Sequence, residues 1–478
     1  MSGHVPITVT GGAGGVAASY DDLLTLGLLY RTVGAELAGA AWHDKLEAAD
    51  GDLVLSSVLA PQTFAAAESA ILAATYGPHG LVSRAALVEA HSLAFAAVVE
   101  LYRAADALQH AAYEAMSYGL GVTIGAELVP IAVTGGLAYL VARRVSPTLV
   151  TDLDVVAWAE ANSEVVQAVV NGGGGLLDGL ALNPVSGPLM RALGLDGLHL
   201  TTGSAADDLG ELLFGDYAGT AVPTTVDEPY DVPTSVEDLI RDLAATAGEG
   251  DGEITIQRLT GPDGETRWIV HLPGTDHFVD QHAIRNLGSN LNLIAGDDTA
   301  YGQAISLAMK QAGVQSDDPV LMVGHSQGGM QAAALSADPD FRYHVTHVVT
   351  AGAPVGTFGI PDNVSVLSLE NSADLVPSLD GEDNRDSARH TTVRADVRTG
   401  NFDAGAGNHG LDLYADLAGT VDGSADPSVR AAIADLEQSG FIGSTDAESQ
   451  TFGYRTEVGD LVRPADIADR SAIVKTAA

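Results

Sequence analysis

The 478-residue chain contains no cysteine. Disulfides and thiolate chemistry are therefore excluded, and the redox compartment leaves no mark on the sequence. Cations are scarce: 22 Lys and Arg, only three of them Lys (Lys45, Lys310, Lys475), stand against 63 Asp and Glu, for a net charge of −41. Nucleic acids and anionic lipid surfaces are recognised through basic patches, so neither is an expected partner. Aromatic residues make up 5% of the chain against 46% hydrophobic overall, which leaves Ala, Val and Leu to fill the cores. The first basic residue is Arg31. Met1 to Gly15 has neither a charged start nor a continuous apolar run, so no cleavable signal peptide is expected; the protein stays in the cytosol or leaves by a route that does not read one. The His and acidic residues show no metal-ligand spacing, and no metal or other cofactor is expected.

What the sequence does contain is centred on Val320-Leu-Met-Val-Gly-His-Ser326-Gln-Gly-Gly-Met-Gln-Ala-Ala-Ala-Leu-Ser336. A short apolar run of strand length meets a Gly-His-Ser-Gln-Gly turn, and an Ala-rich helical stretch follows. Strand, turn and helix in that order are what a nucleophile elbow requires, with the Ser at the strained apex. Gly324 and Gly328 leave room where strand and helix converge. His325 reads as packing of the elbow.

The length implies two or more domains. Residues 1–150 read as an α-helical domain, with helices over Asp21–Leu37, Pro61–Thr75 and Ser83–Met116. Gly119–Ala142 is the most apolar stretch and is long enough to span a bilayer, but it carries Glu127, Pro130 and several Gly, which suit a core or self-associating segment better. Residues 151–234 read as a mixed region with a possible helix at Asp152–Asn171. It ends in the proline-rich Ala221–Thr234, which reads as an interdomain linker. From 235 to 440 strands alternate with helices, which predicts an α/β domain with a mostly parallel sheet. Strands are expected at Glu253–Thr260, Arg267–Leu272, Pro319–Val323, His344–Ala351, Asn363–Leu369 and His390–Arg398. Helices are expected from Ser235 (as N-cap), over Asp298–Ala312, and at Gly410–Leu417 and Ser428–Gln438. Residues 441–478 carry no clear pattern and read as a C-terminal tail or strap.

A Ser hydroxyl needs an imidazole to take its proton, and the imidazole needs a carboxylate to hold its tautomer. With an elbow the chain order is Ser, acid, His. Asp374, just past an expected strand end, and His409, in a loop before an expected helix, fit that order. The competing bases are His344, His347 and His390, which fall inside strand-like runs. The competing acids are Asp362 and Asp380, which lie beside turn residues. Asp276 and His277 read either as pocket-lining or as solvated loop residues.

These motifs resemble the α/β-hydrolases of the class 3 lipase-like type. The matching segments are Trp268-Ile-Val-His-Leu-Pro-Gly-Thr275, Gly324 to Gly329, Asp374-Leu-Val-Pro377, and His409 with Tyr414. The resemblance covers roughly residues 235–438, and it departs at Leu272-Pro273, where those lipases commonly place an Arg before Gly-Thr. It implies Ser326 as nucleophile, His409 as base and then acid, Asp374 as orienting carboxylate, and the backbone N–H groups of Thr275 and Gln327 as oxyanion hole. The expected activity is cleavage of carboxylic esters or lipids through an acyl-enzyme. In the helical region, Tyr102-x-x-x-Asp106 late in an Ala-rich helix resembles substrates of the actinobacterial type VII secretion system. That implies a region serving as cap, partner-binding or export module. Two other classes stand beside the enzyme: a secreted or scaffold protein with an idle hydrolase domain, and a membrane-inserting effector using Gly119–Ala142.

Overall fold

A computed structural model describes residues 6–13, 20–48, 51–93 apart from 78, short pieces between 96 and 126, and 171–461 apart from 185, 194, 214–216, 263, 278–279, 281, 398–406 and 445. The chain divides into two compact units: residues 17–113, and residues 1–16 together with 114–478.

The unit of residues 17–113 is helical where described, with helices Tyr20–Ala48, Gly51–Leu59, Pro61–Tyr76 and 81–93. The first is longer than expected and the second was not foreseen. Pro61 opens its helix at the position where a missing N–H is harmless. Tyr102 and Asp106 lie outside the described residues, as do Asp152–Val170 and most of Gly119–Ala142. Among the described residues no helix is long and apolar enough to cross a membrane.

The second unit is mixed α/β around a nine-stranded sheet. Its strands are β1 (Ile7–Gly11), β2 (Tyr217–Thr224), β3 (Glu253–Thr260), β4 (Thr266–Leu272), β5 (Pro319–His325), β6 (His344–Ala351), β7 (Ser365–Asn371), β8 (His390–Ala395) and β9 (Glu448–Leu461). They lie in the order β1-β8-β7-β6-β5-β4-β3-β9-β2. The centre, β4 to β8, is parallel, while β1 on one side and β3, β9 and β2 on the other pair antiparallel.

Side chains alternate across the sheet as strand geometry demands. Val270 and Met322 face the core beneath helix Ala300–Ala312. Their neighbours Ile269 and Leu321 face the opposite core, under helices Val236–Gly248, Leu411–Asp422 and Pro427–Gln438. Coverage on both faces is why β5 reads as an unbroken apolar run. The expected N-cap at Ser235 is present, its side chain accepting from the Asp238 N–H at 3.1 Å.

Three strands fall outside the stretch from 235 to 440. β1 lies in what read as part of a helical region, and pairs with β8 through Ile7↔Ala395 to Gly11↔Thr391. β2 occupies part of the expected linker; it pairs with β9 on one side only, and an edge strand tolerates Pro223. β9, in the stretch that read as patternless, fills the gap between β3 and β2. Helix Leu287–Ala295, also unforeseen, has Asn286 as N-cap and left-handed Gly296 as its stop. It bears directly on the site described next.

Candidate active site

Ser326 sits between the end of β5 and helix Gln327–Ala337 at φ 53° and ψ −123°, the one non-glycine residue with positive φ among those described. The strain is held by a tight surround. A Cβ on Gly324 would lie 2.5 Å from the Gly328 backbone, and one on Gly328 would lie 1.8 Å from the Leu272 carbonyl oxygen. The Ser326 N–H donates to the Ala351 carbonyl at 3.0 Å, which locks the apex onto the end of β6. A strained, over-determined residue at a strand's C-terminal end marks a place where a fold stores geometry for a purpose.

The candidate acid and the candidate base are joined. His409 Nδ1 lies 2.6 Å from Asp374 Oδ2, across 35 residues of sequence. Asp374 is buried and follows β7, and its other oxygen accepts the Val376 N–H at 3.0 Å. The Tyr414 hydroxyl donates to Asp374 Oδ2 at 2.6 Å. Burial, and then the adjacent Asp374, raise the Tyr414 hydroxyl well above the ordinary phenol value, so it remains a donor. Asn371, at the end of β7, ties down the segment that carries His409. Its side-chain amide donates to the carbonyls of Val397 and Asn408 at 2.9 and 3.1 Å and accepts from the Val397 N–H at 3.0 Å.

The elbow reaches the base through its neighbour. His325 stacks on His409 with ring centroids 4.5 Å apart, and its Nε2–H donates to the His409 carbonyl at 2.9 Å. Burial, reinforced by His409, pushes His325 down to about 3, so it stays a neutral donor. No hydrogen bond joins Ser326 Oγ to His409 among the described residues; unliganded sites often leave that contact to close on substrate. His409 is half-buried, with its ring face held by His325.

Both candidate oxyanion residues flank Ser326. Gln327 opens the helix, so its main-chain N–H has no partner within that helix. Thr275 follows Gly274, and a Cβ on Gly274 would come within 2.9 Å of Ser326 Cβ, so this link and the elbow are in contact. The Thr275 hydroxyl accepts from Asn290 Nδ2 at 3.1 Å and keeps its own proton to donate.

The competing residues are occupied elsewhere. His390 is buried in β8 against Ser368 Oγ at 2.9 Å, and burial pushes it down to about 4. His347 pairs with Asp435 at 3.3 Å, and His344 is exposed at the start of β6. Asp362 bridges to Arg385 at 3.0 Å. Asp380 accepts the Gly356 N–H at 2.6 Å, and burial pushes it up to about 7. Asp276 is not a solvated loop residue: it forms a two-point ion pair with the buried Arg285. His277 is half-exposed and paired with Asp251 at 2.9 Å, which raises its pKa.

Sequence reasoning missed Arg285, Asn286, Asn290 and Asn371. Only Asn286 carried a local signal, as a capping residue before a short apolar stretch that ends in Gly. Among the described residues no group of three His or acidic side chains is placed to hold a metal. Comparison of the chain with family descriptions, with curated proteins and with solved structures finds no match in any of them.

Proposed function

We propose that the second unit is an α/β-hydrolase of the lipase-like kind, cleaving carboxylic esters through an acyl-enzyme on Ser326. The observation that carries this reading is the positive-φ Ser326 whose chain neighbour His325 stacks on His409, a base already bonded to its carboxylate. In the reading, His409 takes the Ser326 proton as the hydroxyl attacks the ester carbonyl. Asp374 holds His409 with Nε2 free for that proton and stabilises the imidazolium. The N–H groups of Thr275 and Gln327 receive the oxyanion. His409 then protonates the leaving alcohol. Water, deprotonated by the same base, releases the acid. The net charge of −41 favours neutral esters over anionic ones.

The test is hydrolysis of p-nitrophenyl esters from acetate to palmitate by wild type and Ser326→Ala. Loss of a clear wild-type rate by a factor of about 10⁴ or more in the variant is the expected result. A rate unchanged by Ser326→Ala would remove the nucleophile. A wild type that neither turns over any ester nor reacts with a fluorophosphonate at Ser326 would leave the elbow structural and favour the idle-scaffold reading.

A further inference from the structure

We propose that the dipeptide Arg285-Asn286 is the positioning element that sets the spacing between the two oxyanion donors. The inference rests on the reading of Ser326 as an acyl-transfer nucleophile and states how that site is held.

The two donors follow different strands, β5 and β4. The Gln327 N–H belongs to the first turn of a helix, but Thr275 lies on Pro273–Asp276, a link after β4 outside any helix or strand. An oxyanion donor works only when held within a few tenths of an ångström of the developing charge, and a bare loop does not provide that.

Arg285 supplies the hold on one side. It is 1% exposed, and each of its guanidinium nitrogens is committed. Nε donates to Asp276 Oδ2 at 2.8 Å, Nη2 to Asp276 Oδ1 at 2.5 Å, and Nη1 to the Glu253 carbonyl at 3.0 Å. The Asp276 N–H returns to the Arg285 carbonyl at 3.0 Å. The residue after Thr275 is therefore fixed by both its backbone and its side chain. A buried ion pair adds little stability over an apolar pair of similar size, because desolvation offsets its attraction. What the fork adds is direction.

Asn286 supplies the hold on the other side. Its Oδ1 accepts the Ser289 N–H at 3.0 Å, and its Nδ2 donates to the Asp280 and Ala283 carbonyls at 3.0 and 2.8 Å. Its own carbonyl accepts Gln327 Nε2 at 2.9 Å. One planar peptide unit thus separates the group that fixes Asp276 from the group that fixes Gln327. The helix that Asn286 caps also provides Asn290, which donates to the Thr275 hydroxyl. Arg285 and Asn286 are buried with their side-chain groups committed to protein partners, so their role is positioning.

The test uses the full chain, a short p-nitrophenyl ester, and an alkyl boronic acid that forms a tetrahedral anion on a reactive Ser. In the double variant Arg285→Met with Asp276→Leu, no buried charge is left unpaired. Gln327→Met removes the tie to Asn286 but keeps the main-chain N–H. Expected in both is a kcat lower by about 10- to 100-fold, KM within about twofold, and boronate affinity falling in step with kcat. Arg285→Lys, which keeps the charge and loses the fork, should fall between them and wild type, and it decides by the same readouts if the double variant does not fold. Folded variants with unchanged kcat and boronate affinity overturn the assignment, as does a loss confined to KM. A wild type that neither cleaves the ester nor binds the boronate overturns the reading of Ser326, and this assignment with it.

Discussion

At the scale of single residues, the elbow depends on the absence of side chains as much as on Ser326. Gly328 has no φ requirement of its own; its constraint is the Leu272 carbonyl, 1.8 Å from where a Cβ would sit. Backbone cannot rotate aside as a flexible side chain can. Gly328→Ala must therefore separate the helix after Ser326 from the end of β4, the strand that leads to Thr275. Overpacking of this kind costs about 1–3 kcal/mol, and here the displaced atoms belong to the proposed oxyanion link. The expected outcome is a Tm several degrees lower and an esterase rate reduced at least 10-fold, measured by thermal denaturation and p-nitrophenyl acetate turnover. Wild-type values for both would mean that strand and helix are looser than these distances imply. Much of this level was legible in the sequence: Gly324, Ser326 and Gly328 announce the turn because their chemistry is local. Arg285 was not legible. Its partners, Asp276 and Glu253, lie 9 and 32 residues away, and an isolated arginine has no periodicity to mark it.

Legibility declines for the same reason at the scale of elements. The parallel centre was readable because short strand-like runs, the most apolar of them β5, alternate with helical stretches and turn residues along the chain. The three flanking strands hide their partners at long range: Thr224 pairs with Gly453, and Ile7 with Ala395. β9 mixes polar, charged and glycine residues with scattered apolar ones, and it becomes a strand because β3 and β2 both supply ladders. Helices Gly173–Leu182 and Thr202–Leu213 show another long-range device. His199, 2% exposed, lies between Asp178 at 2.7 Å and Asp208 at 2.8 Å, and Tyr118 also donates to Asp178 at 2.6 Å. Burial by itself would lower the pKa of His199, but the bonds to Asp178 and Asp208 outweigh it and the net shift is upward. A raised folded pKa means that the clamp's stabilisation is fully present below the ordinary His value and is lost as pH rises through the folded one. Amide hydrogen exchange in these two helices, corrected for intrinsic rate, should therefore speed up above neutral pH. His199→Gln should abolish that dependence and raise exchange at pH 6. Equal protection at pH 6 and 9 in wild type would show that the clamp does not titrate in this range.

At the scale of the whole molecule, buried titratable groups pull stability in opposite directions as pH changes. His271 is fully buried and has no hydrogen-bond partner on either ring nitrogen among the described residues. Burial pushes it down to about 3, as burial chiefly does for His325 to about 3 and for His390 to about 4. Their ordinary value is 6.5, so the unfolded chain binds these protons first as pH falls. Stability is then lost below about 6.5, by up to about 1.4 kcal/mol per pH unit for each group. Asp242 and Asp380 act the other way. Burial raises both to about 7, with Asp238 and Asp231 adding to the rise at Asp242. The folded form holds those protons longer, so stability falls as pH rises from about 4 towards about 7. Among these large shifts three depressed histidines outweigh two raised carboxylates on the acid side, while burial moves His347 down and Glu370 and Asp422 up, shifts that oppose one another in the same range. On the alkaline side, His199 and the self-repulsion of a chain carrying −41 continue to erode stability. The expected curve of unfolding free energy peaks at about pH 6.5–7 and falls on both sides. Denaturant melts from pH 5 to 9 check this, and a monotonic curve in either direction refutes it. The two limbs are separable. His271→Phe should lift the acid limb and leave pH 8 little changed, because only the neutral ring is buried there. About 1 M salt shortens the screening length to about 3 Å, which should lift the alkaline limb while the acid limb persists, since protonating a buried imidazole is not a surface effect.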